Sequence, residues 1–214
     1  MLFRSNCTLL DRQIDNLNIT YPPTTYADNF NGISYSISKN SWVVVGNLGG
    51  IFYGAGITTT TFINYSLNSV SDNINSITNN SSKFVVVGNS GIILYSLDGT
   101  NWNKALDNTL NNFTNNDLRK VIWDGQKFVA VGDYATILTS IDGIRWNTIN
   151  VSNIFNSIIN VKYYDNVYYA LTDIGNVYQS LDLSFWLPVN TNQSDRKSTR
   201  LNSSHVSESR MPSS

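Results

Sequence analysis

The chain has 214 residues, 41% hydrophobic and 12% aromatic, with 14 Lys+Arg against 15 Asp+Glu and a formal net charge of −1. This balance supplies no phosphate-neutralising patch and argues against a nucleic-acid partner. The one cysteine, Cys7, cannot close an internal disulfide, no spacing fits zinc, and no apolar run approaches the ~18 residues that span a bilayer.

In chain order, the first segment is MLFRS at residues 1–5, which matches the reverse complement of a common short-read sequencing adapter read from a GTG start. The far end agrees with it. Residues 195–205 (DRKSTRLNSSH) read as the adapter's forward translation, and 209–214 match its continuation after an index-length gap. Both ends are expected to lie outside the fold, as fusion scars do. The domain is then expected within residues 6–194, cut at both ends.

Setting the ends aside removes five bases (Arg4, Arg196, Lys197, Arg200, Arg210) and two acids (Asp195, Glu208). Nine bases and 13 acids remain, a net charge of −4, and every one of those acids is Asp. His205, the only histidine, also drops out. The true N-terminus is expected to lie outside this sequence, and nothing in the sequence assigns a compartment.

Residues 6–27 are expected to hold the remnant of an earlier blade, and YPPTTYADN at 21–29 reads as loop. Four aligned segments follow: WVVVGNLGGIFY, FVVVGNSGIILY, FVAVGDYATILT and YYALTDIGNVYQ. They place Gly46, Gly88, Gly132 and Thr172 in one column, spaced by 42, 44 and 40 residues. Trp102, Trp146 and Trp186 recur in phase, spaced by 44 and 40.

Each unit carries four short strand signals, in the third copy at about 118–123, 127–131, 136–140 and 145–150. Turn signals separate them: Asp124-Gly125, Gly132-Asp133 and Asp142-Gly143. Asp-Gly between apolar runs marks a hairpin, because glycine accepts the positive φ of a tight turn. Runs such as FVVVG are apolar without alternation, so both strand faces should be buried, as in a sheet clamped between two others. The fold class predicted is all-β, a partial β-propeller of about four four-stranded blades of 40–44 residues.

The segment YSLDGTNW, at Tyr95 to Trp102, returns as TSIDGIRW and then, weakened, as QSLDLSFW. It resembles the Asp-box, or bacterial neuraminidase repeat, of sialidases and many other propellers, in a form shortened by one residue. The matching positions are Ser96, Asp98, Gly99 and Trp102; Ser140, Asp142, Gly143 and Trp146; and Ser180, Asp182 and Trp186. Leu183 replaces the glycine in the last copy, and Gly54, Ala55, Gly56 and Thr60 occupy the columns in the first. Lying between the third and fourth strands, the segment is expected to act as a fastener. Its carboxylate and hydroxyl take up unpaired backbone N–H groups and its indole buries an apolar face. The resemblance also implies that the boxes lie at outer turns, away from any central site.

A sialidase-like site needs an arginine cluster and a tyrosine paired with a glutamate, whereas residues 6–194 hold three Arg and no Glu. With no histidine there, a nucleophilic triad has no members. The expected function is a non-catalytic scaffold with no cofactor and an unidentified protein or glycan partner. The first alternative is a carbohydrate- or protein-binding module, for which Tyr163, Tyr164, Tyr168 and Tyr169 in YYDNVYY are candidate ligand contacts. The second is a glycoside hydrolase whose catalytic residues lie outside this segment. An open arc of blades exposes a sheet face at each end, and self-association is expected.

Overall fold

The computed structural model describes residues 29–56, 63–64, 72–107 and 114–189. The adapter-like ends, the 6–27 stretch, Cys7, Thr60 and His205 lie outside the described residues. Four antiparallel sheets follow one another along the chain. The first blade comprises β1 (Phe30–Ser36), β2 (Ser41–Gly46), β3 (Ile51–Ala55) and β4 (Ile63–Asn64). The second holds β5 (Ile74–Asn79), β6 (Phe84–Gly88), β7 (Ile93–Ser96) and β8 (Trp102–Lys104).

A short strand, β9 (Leu106–Asp107), leaves the second blade and pairs parallel with the outer strand of the third. That blade is β10 (Leu118–Trp123), β11 (Phe128–Gly132), β12 (Ile137–Ser140) and β13 (Arg145–Thr148). The fourth is β14 (Ile158–Tyr164), β15 (Val167–Thr172), β16 (Val177–Ser180) and β17 (Leu187–Pro188). Each blade has the four strands expected, and the third gains a short addition. The third sheet has five, because the linking chain covers the exposed edge of β13.

The blades stack face to face, and β1, β5, β10 and β14 lie in a row, each beside the next. Both middle strands β6 and β11 are buried along their full length, as their unbroken apolar runs require. Three clusters fill the seams. Val43, Val45 and Ile51 of the first blade meet Ile77, Phe84 and Val86 of the second. Val85, Val87 and Ile93 meet Val121, Phe128 and Ala130 of the third. Val129, Val131 and Ile137 meet Val161, Tyr168 and Ala170 of the fourth. This is a partial β-propeller.

The glycine column has a steric cause. The first strand of each blade carries one extra residue, at Asn31, Asn75, Arg119 and Ile159. Beside that bulge the preceding carbonyl presses on the second strand. A Cβ at Gly88 would lie 2.2 Å from Asn73 O, and one at Gly132 would lie 2.1 Å from Asp117 O.

Candidate functional site

The two ends of each blade differ. One, here the corner end, carries the turns between first and second strands and those between third and fourth. The other, the link end, carries the second-to-third turns and the connections to the next blade.

At the corner end, Ser96 Oγ donates to Asp98 Oδ1 at 3.0 Å and accepts the Gly99 N–H at 2.8 Å. Asp98 Oδ1 accepts the N–H groups of Thr100 and Asn101, both at 2.8 Å. The Trp102 indole N–H closes the corner on Gly99 O at 3.1 Å. Ser140, Asp142 and Trp146 repeat this pattern, with the Gly143 N–H on Ser140 and those of Ile144 and Arg145 on Asp142. Ser180, Asp182 and Trp186 do so again around Leu183, Ser184 and Phe185.

These bonds act on the carboxyls. Burial pushes Asp98 and Asp142 upward, yet the turn N–H groups and the serine hydroxyl outweigh it, lowering Asp142 and holding Asp98 well below the usual carboxylate range. Asp182 is lowered by the Ser184 hydroxyl and the Phe185 and Ser184 N–H groups.

Each corner also presses on the blade before it. Trp146 and Trp186 are 2% and 0% exposed, and each sits in the cluster its blade shares with the preceding one. A Cβ at Gly99 would meet Tyr53 at 2.9 Å and Val43 at 3.0 Å. Leu183 nevertheless holds φ 74° with a side chain 1% exposed. Its side chain joins the buried cluster shared with the third blade.

The four tyrosines of YYDNVYY do not share one surface. The hairpin turns at Asp165 and Asn166 (φ 50° and 61°), and Tyr163 pairs with Tyr168 on the face toward the third blade, rings 4.5 Å apart. Tyr168 is 3% exposed; its hydroxyl donates to Asp124 Oδ2 and accepts from Lys127 Nζ at 2.7 Å. Lys127 in turn lies 3.0 Å from Asp124. Burial and the Asp124 carboxylate push the Tyr168 phenol up to about 12, against the opposing pull of Lys127. Tyr169 is half-buried on the opposite sheet face, and Tyr164 is exposed at the corner end.

The link end holds groups that no motif announced. Asn31 donates to Asn47 Oδ1 and Ile74 O, and Asn75 to Asn89 Oδ1 and Leu118 O, all between 2.7 and 2.9 Å. In the third blade the same two columns hold Arg119 and Asp133, joined by two 2.8 Å hydrogen bonds, with Asp117 at 3.5 Å. Asp133 raises the guanidinium's affinity for its proton, and Arg119 lowers the Asp133 carboxyl. The bulge column and the substitution in it were visible in the sequence only once the strand register was known.

Beside these groups is a depression of about 320 Å³ between the third blade's turn and the link to the fourth. Tyr134 and Phe155 border it, 78% and 80% exposed. Asn116, Thr136 and Asn150 add hydrogen-bonding groups, and Asn116 Nδ2 donates to Thr136 Oγ1 at 2.9 Å. Tyr134 and Ala135 both have positive φ (52° and 53°). Among the described residues no cluster of three His, Cys, Asp or Glu side chains could hold a metal ion. No helix among them is long and apolar enough to cross a membrane.

No family model matches the sequence, and no curated protein matches it. Among solved structures it is similar to YCF48 bound to D1 peptide, with a TM-score of 0.63 and 15% identity, covering 83% of this chain and 60% of that one. YCF48 from Cyanidioschyzon merolae gives 0.61 and 18%, covering 78% and 57%. A chain of a nidogen/laminin complex gives 0.57 and 14%, covering 76% and 64%. The chain thus spans 57–60% of the two YCF48 chains. What these likenesses share with it is the fold, a β-propeller.

Proposed function

We propose that this chain is a non-catalytic propeller scaffold that binds a protein partner at the link end, in the depression between Tyr134 and Phe155. The observation that carries the reading is a pair of large, exposed aromatic rings flanking hydrogen-bonding groups. Aromatic anchors of this kind supply contact area at little entropic cost. Two of the similar structures are named for protein partners, a D1 peptide and laminin, which supports a protein over a sugar. The Ser-x-Asp-Gly-x-x-Trp corner is, on this reading, a shortened Asp-box that fastens blades and leaves recognition to the opposite end.

Selection of a displayed peptide library on the full chain tests this, with Tyr134→Ser, Phe155→Ser and, at the corner end, Tyr164→Ser as variants. Selected peptides should lose at least tenfold in affinity for the first two and keep their affinity for the third. Peptides indifferent to Tyr134 and Phe155, or strong binding to a glycan array in place of peptides, would overturn it.

A further inference from the structure

Resting on the protein-binding reading above, we infer that the partner's segment is cationic as well as apolar. Lys or Arg stands in it beside aliphatic or aromatic side chains, and it lies across the turns of the third and fourth blades. These turns and the chain between them form one surface. Asn156 O accepts the Ala135 N–H at 3.1 Å, and Ser157 O accepts the Asp173 N–H at 3.0 Å. Phe155 therefore stands on a link bonded to both turns. The surface lies between two described blades, not at an end of the row.

The tip of each second-to-third turn is one column of the repeat, occupied by Leu48, Ser90, Tyr134 and Ile174. Polar residues and glycine dominate such tips, which stand on the surface. Here three of the four are large and aliphatic or aromatic, with Leu48, Tyr134 and Ile174 at 56%, 78% and 61% exposed. None of these three belongs to the clusters that fill the seams. Ile174 extends the Tyr134 and Phe155 pair onto the fourth blade. Exposed apolar groups gathered in this way mark contact with a partner.

The charge beside them has one sign. The described turns and links at this end carry Asp72, Asp117, Asp133 and Asp173 and no Lys or Arg. Arg119, on the neighbouring bulge, is already tied to Asp133 and Asp117. Asp173 is exposed, and the bulge column of its own blade holds Ile159 where the third blade has Arg119. A negative rim around apolar anchors attracts a cationic segment and repels an acidic one.

Fluorescence anisotropy with the full chain tests this. The probes are three synthetic peptide pools of equal length, combining Leu, Phe and Tyr with Lys and Arg, with Gln, or with Glu. The variants are Tyr134→Ser, Ile174→Ser and Asp173→Asn, with Asp165→Asn in the exposed corner-end hairpin as the control for general charge attraction. The basic pool should bind at least tenfold more tightly than the Gln pool, and the Glu pool more weakly than either. Raising salt from about 50 to about 300 mM should remove most of that preference, because exposed charges are screened. Ile174→Ser should cost the basic pool at least fivefold. Asp173→Asn should lower its preference over the Gln pool at least threefold, with Asp165→Asn leaving it unchanged. Basic and Gln pools bound equally, both lost with Tyr134→Ser, would overturn the inference and leave the protein-binding reading standing. A basic preference that Asp173→Asn and Asp165→Asn reduce alike, or binding that Ile174→Ser does not weaken, would overturn it too. If no pool binds, or if binding ignores Tyr134→Ser, the protein-binding reading falls and this inference with it.

Discussion

Trp146 is the residue on which a seam depends most directly. It is 2% exposed, packs near Phe128 with ring centroids 6.3 Å apart, and ties its indole N–H to Gly143 O. Trp146→Ala should cost about 3–5 kcal/mol, as for other buried aromatic truncations. Asp142→Ala frees two turn N–H groups that water can partly reach, and should cost about 1–2 kcal/mol. Chemical denaturation of both variants checks the ranking. Gly143 is constrained twice over: its φ is +71°, and an added Cβ would lie 2.9 Å from Val85 Cγ2 in the preceding blade. Gly143→Ala should therefore lower the denaturation midpoint by more than an Ala in place of Gly125, which has positive φ but open space around it. At this scale the sequence spoke clearly where a residue type has one use, as with Asp-Gly and the recurrent tryptophan. It was silent on Leu183, which takes the positive φ of a glycine column and buries its side chain in the seam with the third blade. The tie between Tyr168, Asp124 and Lys127 was equally hidden, since it joins residues about forty apart through side chains common at any surface.

The corner turns form a class of element with a shared response to acid. Asp98, Asp142 and Asp182 are all held below their ordinary values in the folded chain. A carboxyl depressed on folding contributes stability that is present above its unfolded pKa, about 3.9, and is lost as pH falls through the folded value. Denaturation midpoints should thus be flat near neutrality and fall below about pH 4. Asp98→Asn should make that acid limb shallower, and a limb of unchanged slope would show that the charge contributes nothing. The strands themselves were legible because an unbroken apolar run in a short segment has few homes other than a sheet covered on both faces. The bulges and β9 were not. One extra residue leaves no periodic trace, and a two-residue strand against β13 carries no pattern of its own.

Taken whole, the molecule is a row of blades with unequal support. Among the described residues the second and third have a neighbour on each face and the first has one; the first also lacks the Ser-x-Asp-Gly-x-x-Trp sequence of the others. Stability in stacked repeats sums local and nearest-neighbour terms, so the first blade should open most readily. Amide hydrogen exchange should be faster in β2 than in β6 and β11; equal protection would mean that the arc unfolds as a single unit. The corners described above carry a further implication for how the chain reaches this state. Every bond within one of them joins residues no more than three apart, while each seam joins residues some forty apart. Loop-closure entropy makes the near contacts fast and the distant ones slow. The newly made chain therefore acquires its indole plugs early, as local folds awaiting a partner sheet, and the rate of maturation is set by how quickly one finished vane finds the next.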